Sequence, residues 1–406
     1  MIFEKILRLL PPQYSTIYKG KNIKKSMRKL RMGMIGGGEG AFIGAVHRMA
    51  AALDGQIDLV CGAFSSNSEK SKRSGEALFL PSNRVYGSFS EMILKEKLLP
   101  EDERMDFISI VTPNHVHFPP AKMALENGFH VVCDKPLSFN LEEALELEKL
   151  VKKTGLIFAL THNYTGYPMV KQAKMMIKNG ELGKIRKIIV EYPQGWLATK
   201  LEDSEQKQAA WRTDPTRSGI VGAMGDIGTH AENLAEYISG LKIKRLYADL
   251  NTMVEGRLLD DDGNLLLEYD NGAKGILMAT QIAAGEENDL NIRIWGEKGG
   301  LQWRQMEPNS LIVKWLDKPQ QTLRTGVGAL HAESLAHTRI PAGHPEGYLE
   351  AFANIYRNFA KHVQAQMEGK EQDPMFDYPS VSDGVRGMEF IYKLVESSKK
   401  GEWVNL

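Results

Sequence analysis

Phe129-His130-Val131-Val132-Cys133-Asp134-Lys135-Pro136 reads as a buried strand that ends on a charged residue set against proline. Val131, Val132 and Cys133 are apolar and β-prone, the composition of a parallel strand covered on both faces. Pro136 has no N–H to donate and stops the ladder. Lys135 therefore stands at the carboxyl end of a strand, the edge where ligands bind in open α/β sheets, and its ammonium can meet a substrate oxygen or a cofactor phosphate there. Taken alone, the stretch also fits a surface lysine in a loop, so its flanks decide.

Upstream, Met105 to Val111 is a second strand, ending in Thr112-Pro113-Asn114-His115-Val116-His117, and a short helix over Ala121 to Asn127, closed by Gly128, links it to the first. Earlier still, Leu30 to Ile35 runs directly into Gly36-Gly37-Gly38-Glu39-Gly40-Ala41-Phe42-Ile43-Gly44, followed by a helical pattern through Leu53. Strand, glycine turn and helix are the parts of a dinucleotide site: Gly36 and Gly38 permit a tight turn and close approach of a pyrophosphate, and the helix offers its free N–H groups. If Gly44 closes the motif, three residues have been inserted after the first glycine pair, and a glycine-rich turn of no cofactor significance stays open. The strand Ile57 to Phe64 ends in Ser65-Ser66-Asn67, with no carboxylate to hold a ribose hydroxyl. Those serines, with Lys70, Lys72 and Arg73 nearby, suit a 2′-phosphate, although the basic residues also fit the solvated face of the next helix. Downstream of Pro136, Asn140 caps a helix with Glu142 and Glu143 in its first turn, Lys152 and Lys153 in its last and Gly155 beyond it. Strands alternating with helices over residues 30 to 155 predict a doubly wound parallel sheet.

Beyond Thr161 the pattern changes. A helix opens at Pro168 and closes at Asn179-Gly180, Ile185 to Tyr192 reads as a strand, and Asp270-Asn271-Gly272 between Leu265–Tyr269 and Gly275–Thr280 signals a hairpin with a type I′ turn. Leu290, Ile292 and Ile294 alternate with polar partners, and Leu311 to Trp315 extends what reads as an antiparallel sheet. Tyr348, Phe352, Ile355, Phe359 and Val363 recur at helical spacing and read as packing. The aperiodic segment from Thr325 to His344 reads as an excursion or a subunit-contact arm.

A second constellation lies in Gly219 to His230, which leads into an amphipathic helix over Ala231 to Ile238. Asp226 and His230, four apart, share one helix face, so a carboxylate can orient an imidazole whose ordinary pKa of about 6.5 suits it to accept a proton from an alcohol. The same spacing also fits a divalent metal, with His162 or Glu191 as third ligand, or an ordinary helix cap.

Composition narrows the field. With 406 residues, two domains of roughly 150 to 250 residues each are expected. Lys+Arg 51 against Asp+Glu 51 gives no field that would draw the chain to nucleic acid or an anionic membrane. Two cysteines in separate candidate strands, Cys61 and Cys133, fit a reduced cytoplasmic protein. No apolar run approaches the roughly 20 residues of a membrane span. Residues 1 to 28, with Lys19, Lys21, Lys24, Lys25 and Arg28, read as a basic leader outside the packed domains.

Taken together and in order, Gly36 to Gly44, Thr112-Pro113-Asn114 with His117, Asp134-Lys135-Pro136, and Asp226 with His230 resemble the glucose-fructose oxidoreductase and inositol dehydrogenase (Gfo/Idh/MocA) family from about Arg28 to the C terminus. The Lys-Pro pair and the Asp-x-x-x-His pair carry more of the resemblance than the glycines do. It implies an N-terminal Rossmann domain over 29–157 that binds NAD or NADP. It also implies an α/β domain over 158–406 with a large, mainly antiparallel open sheet that supplies substrate contacts and a homodimer or homotetramer interface. The implied reaction passes a hydride between nicotinamide and a secondary hydroxyl of a sugar, glycoside or cyclitol. In it, His230 takes the proton, Asp226 orients His230, and Lys135 stabilises the alkoxide without a metal. Gly36, Gly38, Gly44, Ser65, Ser66, Thr112, Asn114, His117, Asp134 and Lys135 would hold the coenzyme. Asn163, Tyr164, Trp196, Trp211 and Arg212 would line the sugar pocket, where indole faces suit the C–H faces of a pyranose. Two departures, Asp-Lys-Pro for the family's Glu-Lys-Pro and a longer glycine loop, bear on coenzyme pose. The rival readings are a metal-dependent sugar isomerase or lyase and a cofactor-binding protein without catalysis.

Overall fold

A computed structural model describes residues 28–204 and 206–406; the basic leader, Arg28 apart, lies outside the described residues. Five strands, β1 (Leu30–Gly36), β2 (Ile57–Ala63), β3 (Phe107–Val111), β4 (His130–Cys133) and β5 (Phe158–Leu160), form a parallel sheet in the order β2-β1-β3-β4-β5. All of β3 and nearly all of β4 are buried, as the opening stretch requires. The chain steps from β1 outward to β2 and then back to β3 on the other side. The crevice at that reversal, between the ends of β1 and β3, is where a doubly wound sheet receives its ligand.

The connecting helices obey their local chemistry. In the helix Leu141–Thr154, the Asn140 side chain accepts from the Glu143 N–H at 2.9 Å, and Gly155 closes it at φ 67°. The helix Phe118–Glu126 starts earlier than the Ala121 expected, because Pro119 and Pro120 occupy its first turn, where their missing N–H groups would have had no partner anyway.

Nine further strands, β6 (Ile185–Pro193), β7 (Ile243–Asn251), β8 (Asp262–Tyr269), β9 (Lys274–Thr280), β10 (Asn291–Gly296), β11 (Gly299–Arg304), β12 (Ser310–Trp315), β13 (Gln321–Arg324) and β14 (Val404–Asn405), make one open sheet ordered β13-β12-β11-β10-β6-β9-β8-β7-β14. Every neighbouring pair is antiparallel except β6 and β9, which run parallel. The hairpin between β8 and β9 forms where the Asn-Gly signal put it, but not with the expected type I′ turn. Only Gly272 takes a positive φ, 88°, and the Tyr269 N–H donates to the Ala273 carbonyl at 2.9 Å. A three-residue loop with glycine at its left-handed position satisfies the strand twist without forcing Asn271 there.

β5 carries the parallel sheet past residue 157, and the helix Tyr348–Met367 returns from the far end of the chain to cover that sheet. Its Phe352, Tyr356, Phe359 and Val363 pack with Leu30, Phe107, Val132 and Ala159. The segment Thr325–His344 is anchored to other parts of the chain. The His331 N–H donates to Gln172 at 2.8 Å, and Arg339 pairs with Asp54, which caps the helix Phe42–Leu53. Among the described residues, no helix is long and apolar enough to cross a membrane.

Candidate active site

A cavity of about 1140 Å³ opens at the switch point of the parallel sheet and continues to the edge of the large sheet. Gly36, Gly37 and Gly38 form one end of its wall, with Ser65, Ser66 and Lys70 beyond them. Gly36 and Gly37 take φ of 81° and 72°, a region that side chains with a Cβ avoid. A Cβ on Gly44 would lie 2.3 Å from the Gly37 Cα, and one on Gly38 would lie 2.8 Å from the Phe64 carbonyl oxygen. Turn and helix thus meet backbone to backbone, leaving a bare peptide cradle of the kind a pyrophosphate needs. Gly44, expected to touch coenzyme, does not line the cavity; it serves the close packing of helix on turn.

Thr112, Pro113 and Asn114 line the opposite wall, and Asn114 Nδ2 donates to the Ser218 carbonyl at 3.0 Å. His117 stands apart from the expected coenzyme contacts. It is buried outside the lining, with Nδ1 2.7 Å from the Pro136 carbonyl oxygen and Nε2 2.8 Å from that of Thr112. It braces the loop after β3 against the loop after β4. Asp134 does line the cavity, and its Oδ1 accepts from the Lys135 N–H at 2.8 Å and from Thr161 Oγ1 at 2.9 Å.

Lys135, Asp226 and His230 meet midway along the cavity. Lys135 Nζ donates to Asp226 Oδ1 at 2.8 Å and also to the Asp226 carbonyl. The other carboxylate oxygen accepts from Arg212 Nε at 3.1 Å and from Gln281 Nε2 at 2.8 Å. Burial works against ionisation of Asp226, but Arg212 and Lys135 outweigh it and hold the carboxyl far below the usual carboxylate range. A π-turn, Met224–Gly228, presents this residue, and the Asp260 carboxylate steadies the turn by accepting from the N–H groups of Gly222 at 2.6 Å and Met224 at 2.8 Å.

The expected orientation of His230 by Asp226 is not made through a hydrogen bond among the described residues, because both carboxylate oxygens accept from Lys135, Arg212 and Gln281 instead. The neighbour of His230 is His162, whose Nδ1 lies 3.3 Å from His230 Nδ1. Burial, reinforced by Lys135, pushes His230 well below the ordinary imidazole value.

The far half of the cavity is polar and aromatic. Tyr164 and Tyr192 join hydroxyl to hydroxyl; Tyr192 donates to Asn288 Oδ1 at 2.7 Å, and Asn288 Nδ2 donates to Tyr164 at 3.1 Å. Trp196 Nε1 donates to Gln194 Oε1 at 3.0 Å, and the Arg212 guanidinium lies 4.3 Å from the Trp211 ring centroid and 5.8 Å from that of Trp196. Asn163 lines the same space and keeps an unpartnered buried Nδ2.

Sequence reasoning missed Tyr192, Gln194, Gln281 and Asn288. Tyr192, Gln194 and Gln281 sit at or just past the carboxyl ends of β6 and β9, whereas Asn288 lies in the loop that leads from β9 into β10. Because β6 and β9 run parallel inside an otherwise antiparallel sheet, their ends emerge at one edge and deliver the first three together, and the Asn288 Oδ1 joins them by accepting from Tyr192 and Gln194. The strand-end rule that singled out Lys135 would have flagged Tyr192 and Gln194. Tyr348 and Phe352, read as packing, both pack and line the cavity.

Peptide cradle, switch-point crevice and a buried lysine–carboxylate–imidazole cluster thus share one cavity. Residues 30–164 match the oxidoreductase family model with an NAD-binding Rossmann fold, and residues 170–302 match the GFO/IDH/MocA C-terminal domain. The chain belongs to the GFO/IDH/MocA oxidoreductase family. It is 34% identical over 386 residues to the oxidoreductase YfiI of Bacillus subtilis (strain 168), covering 93% of this chain and 97% of that protein. It is 27% identical over 408 residues to levoglucosan dehydrogenase of Pseudarthrobacter phenanthrenivorans, covering 94% and 99%. Among solved structures, an inositol dehydrogenase homolog from Azotobacter vinelandii complexed with NAD+ aligns with TM-score 0.90 and 34% identity, over 96% of this chain and 100% of that one.

Proposed function

We propose that the protein is a dehydrogenase that passes a hydride between NAD(P) and a secondary hydroxyl of a sugar, glycoside or cyclitol. The observation that carries this is the position of Lys135, Asp226 and His230 between the glycine cradle and the Tyr164–Tyr192–Asn288 network, inside one cavity. Bound nicotinamide supplies the hydride acceptor or donor.

Each residue follows from its surroundings. His230 takes the hydroxyl proton, Lys135 donates to the oxygen on which charge develops, and Asp226, held ionised, fixes Lys135 in place. The Tyr164, Tyr192, Gln194 and Asn288 polar groups address ring hydroxyls, while Trp196 and Trp211 offer flat apolar faces. Levoglucosan and inositol, substrates implied by the relatives' names, both present secondary hydroxyls around a ring, which supports this substrate class. Ser65, Ser66 and Lys70 at the coenzyme end favour acceptance of NADP alongside NAD. The buried, unpaired thiols of Cys61 and Cys133 fit work in the cytoplasm.

A panel of sugars, glycosides and cyclitols offered with NAD and with NADP, followed by nicotinamide absorbance, tests the reading. Turnover with at least one secondary alcohol is expected. Substrate conversion that requires added metal and leaves the nicotinamide band unchanged would establish the isomerase or lyase reading in its place.

A further inference from the structure

His162 lies in the turn after β5, 3% exposed, and its two chain neighbours Thr161 and Asn163 line the cavity while it does not. Its ring meets that of His230 edge to face, with centroids 5.1 Å apart and planes at 87°. Resting on the dehydrogenase reading above, we propose that His162 is the positioning residue of His230. It accepts the Nδ1–H of His230 on its own Nδ1 and so keeps the lone pair of His230 on Nε2, the nitrogen that receives the substrate proton.

The argument is one of proton counting. Two imidazole nitrogens 3.3 Å apart in a buried site are satisfied when one donates and the other accepts. If His162 were the donor, the proton of neutral His230 would sit on Nε2 and no lone pair would face an alcohol. With His230 as donor, Nε2 is bare, and among the described residues that nitrogen has no protein hydrogen-bond partner although His230 lines the cavity. The tautomer of a working histidine is commonly set by what its other nitrogen touches.

The surroundings keep His162 in the state this role requires. Burial, then Lys135, pushes its pKa down to about 3 against the opposing pull of Asp134, so it stays neutral and retains its acceptor lone pair. The groups facing His230 are Lys135 from the loop after β4, His162, Asp226 on its own segment, and the rings of Tyr164 and Tyr192. In oxidation the substrate O–H proton goes to His230 Nε2, the C–H hydride leaves for nicotinamide and a C=O forms; reduction reverses each transfer. Through both, the Nδ1–H to Nδ1 contact persists and His162 neither gains nor loses a proton.

Neutron diffraction from deuterated enzyme with NAD bound tests the tautomer without any substrate. Deuterium is expected on His230 Nδ1 and His162 Nε2; deuterium on His162 Nδ1, directed at His230, overturns the proposal. Kinetics supply the second arm. His162→Phe keeps a ring and removes the acceptor, whereas His162→Asn returns an acceptor oxygen close to the lost Nδ1. With the best secondary alcohol found, the Phe variant should lose roughly 10- to 100-fold in kcat, by analogy with loss of the hydrogen-bond partner that orients a metal-bound histidine. Its affinity for NADH should be unchanged and the acid limb of its rate profile displaced, and Asn should restore most of the rate. A Phe variant with the parent kcat and pH profile sinks the assignment. Should the Phe variant fail to fold, the Asn variant and the neutron map decide, an inactive Asn variant in a correctly folded protein counting against the role. Failure of the dehydrogenase reading itself would appear differently, as an unmodified enzyme with no change in nicotinamide absorbance.

Discussion

Lys135 spends two of its three N–H groups on Asp226, one on the carboxylate and one on the carbonyl, which leaves one for a ligand oxygen in the cavity. Lys135→Ala should therefore cut the hydride-transfer rate by two or more orders of magnitude, about 3 kcal/mol as for loss of one oxyanion-type donor, with little change in NADH affinity. Stopped-flow transfer rates and a fluorescence titration check the two halves; near-normal transfer would assign the lysine to structure. His230 makes a pH prediction. A base works only when unprotonated, so rate falls as pH drops through its pKa, and a pKa below the ordinary 6.5 moves that fall to lower pH. The kcat/KM profile for alcohol oxidation should stay flat through the ordinary imidazole range and decline only below it. A decline already centred at or above that range would show that the working base is another group. His230→Ala should remove this acid limb altogether.

The strand, turn and helix around Gly36 to Leu53 depend on two backbones touching. In Gly44→Ala the added Cβ would stand 2.3 Å from the Gly37 Cα and 2.8 Å from its carbonyl oxygen, so the helix has to move off the turn. Overpacking of this kind destabilises by about 1–3 kcal/mol. Here it should also weaken NAD binding, because the displaced helix carries the cradle with it. Denaturant unfolding and an NADH titration measure both, and unchanged affinity would mean that the turn does not receive the pyrophosphate. At the other end of β2, Ser65→Asp should shift preference toward NAD by repelling a 2′-phosphate. An unchanged ratio of kcat/KM for the two coenzymes would place the ribose elsewhere.

Across the whole molecule, the open sheet has one face under helices and one without. On the second face, register aligns Tyr247, Leu266, Ile276 and Ile189 in a row over β7, β8, β9 and β6, and Leu266 is 50% exposed. A contiguous apolar row of this kind is unfavourable in water, so this face is expected to join copies of the chain as a dimer or tetramer. Sedimentation at micromolar concentration should give an oligomer, and the double substitution Leu266→Glu with Ile276→Glu should give a monomer. A monomeric parent protein would refute the interface.

What the sequence by itself determined was local in origin. Strand, glycine turn and helix order, the cap at Asn140, the hairpin at Gly272 and the strand-end position of Lys135 each follow from a few neighbouring residues, and so did the parallel sheet that the family match bears out. The tertiary structure decided what distant segments do to one another. It took Asp226 away from His230 and gave it to Lys135, Arg212 and Gln281, because a carboxylate four residues from an imidazole faces whichever cations the fold brings closest. It set His162 behind His230 and moved His117 from ligand to brace. By running β6 parallel to β9, it brought Tyr192, Gln194 and Gln281 to one edge, where the loop before β10 adds Asn288. Strand direction in a mixed sheet is settled by long-range pairing, which leaves no mark in the residues of either strand alone.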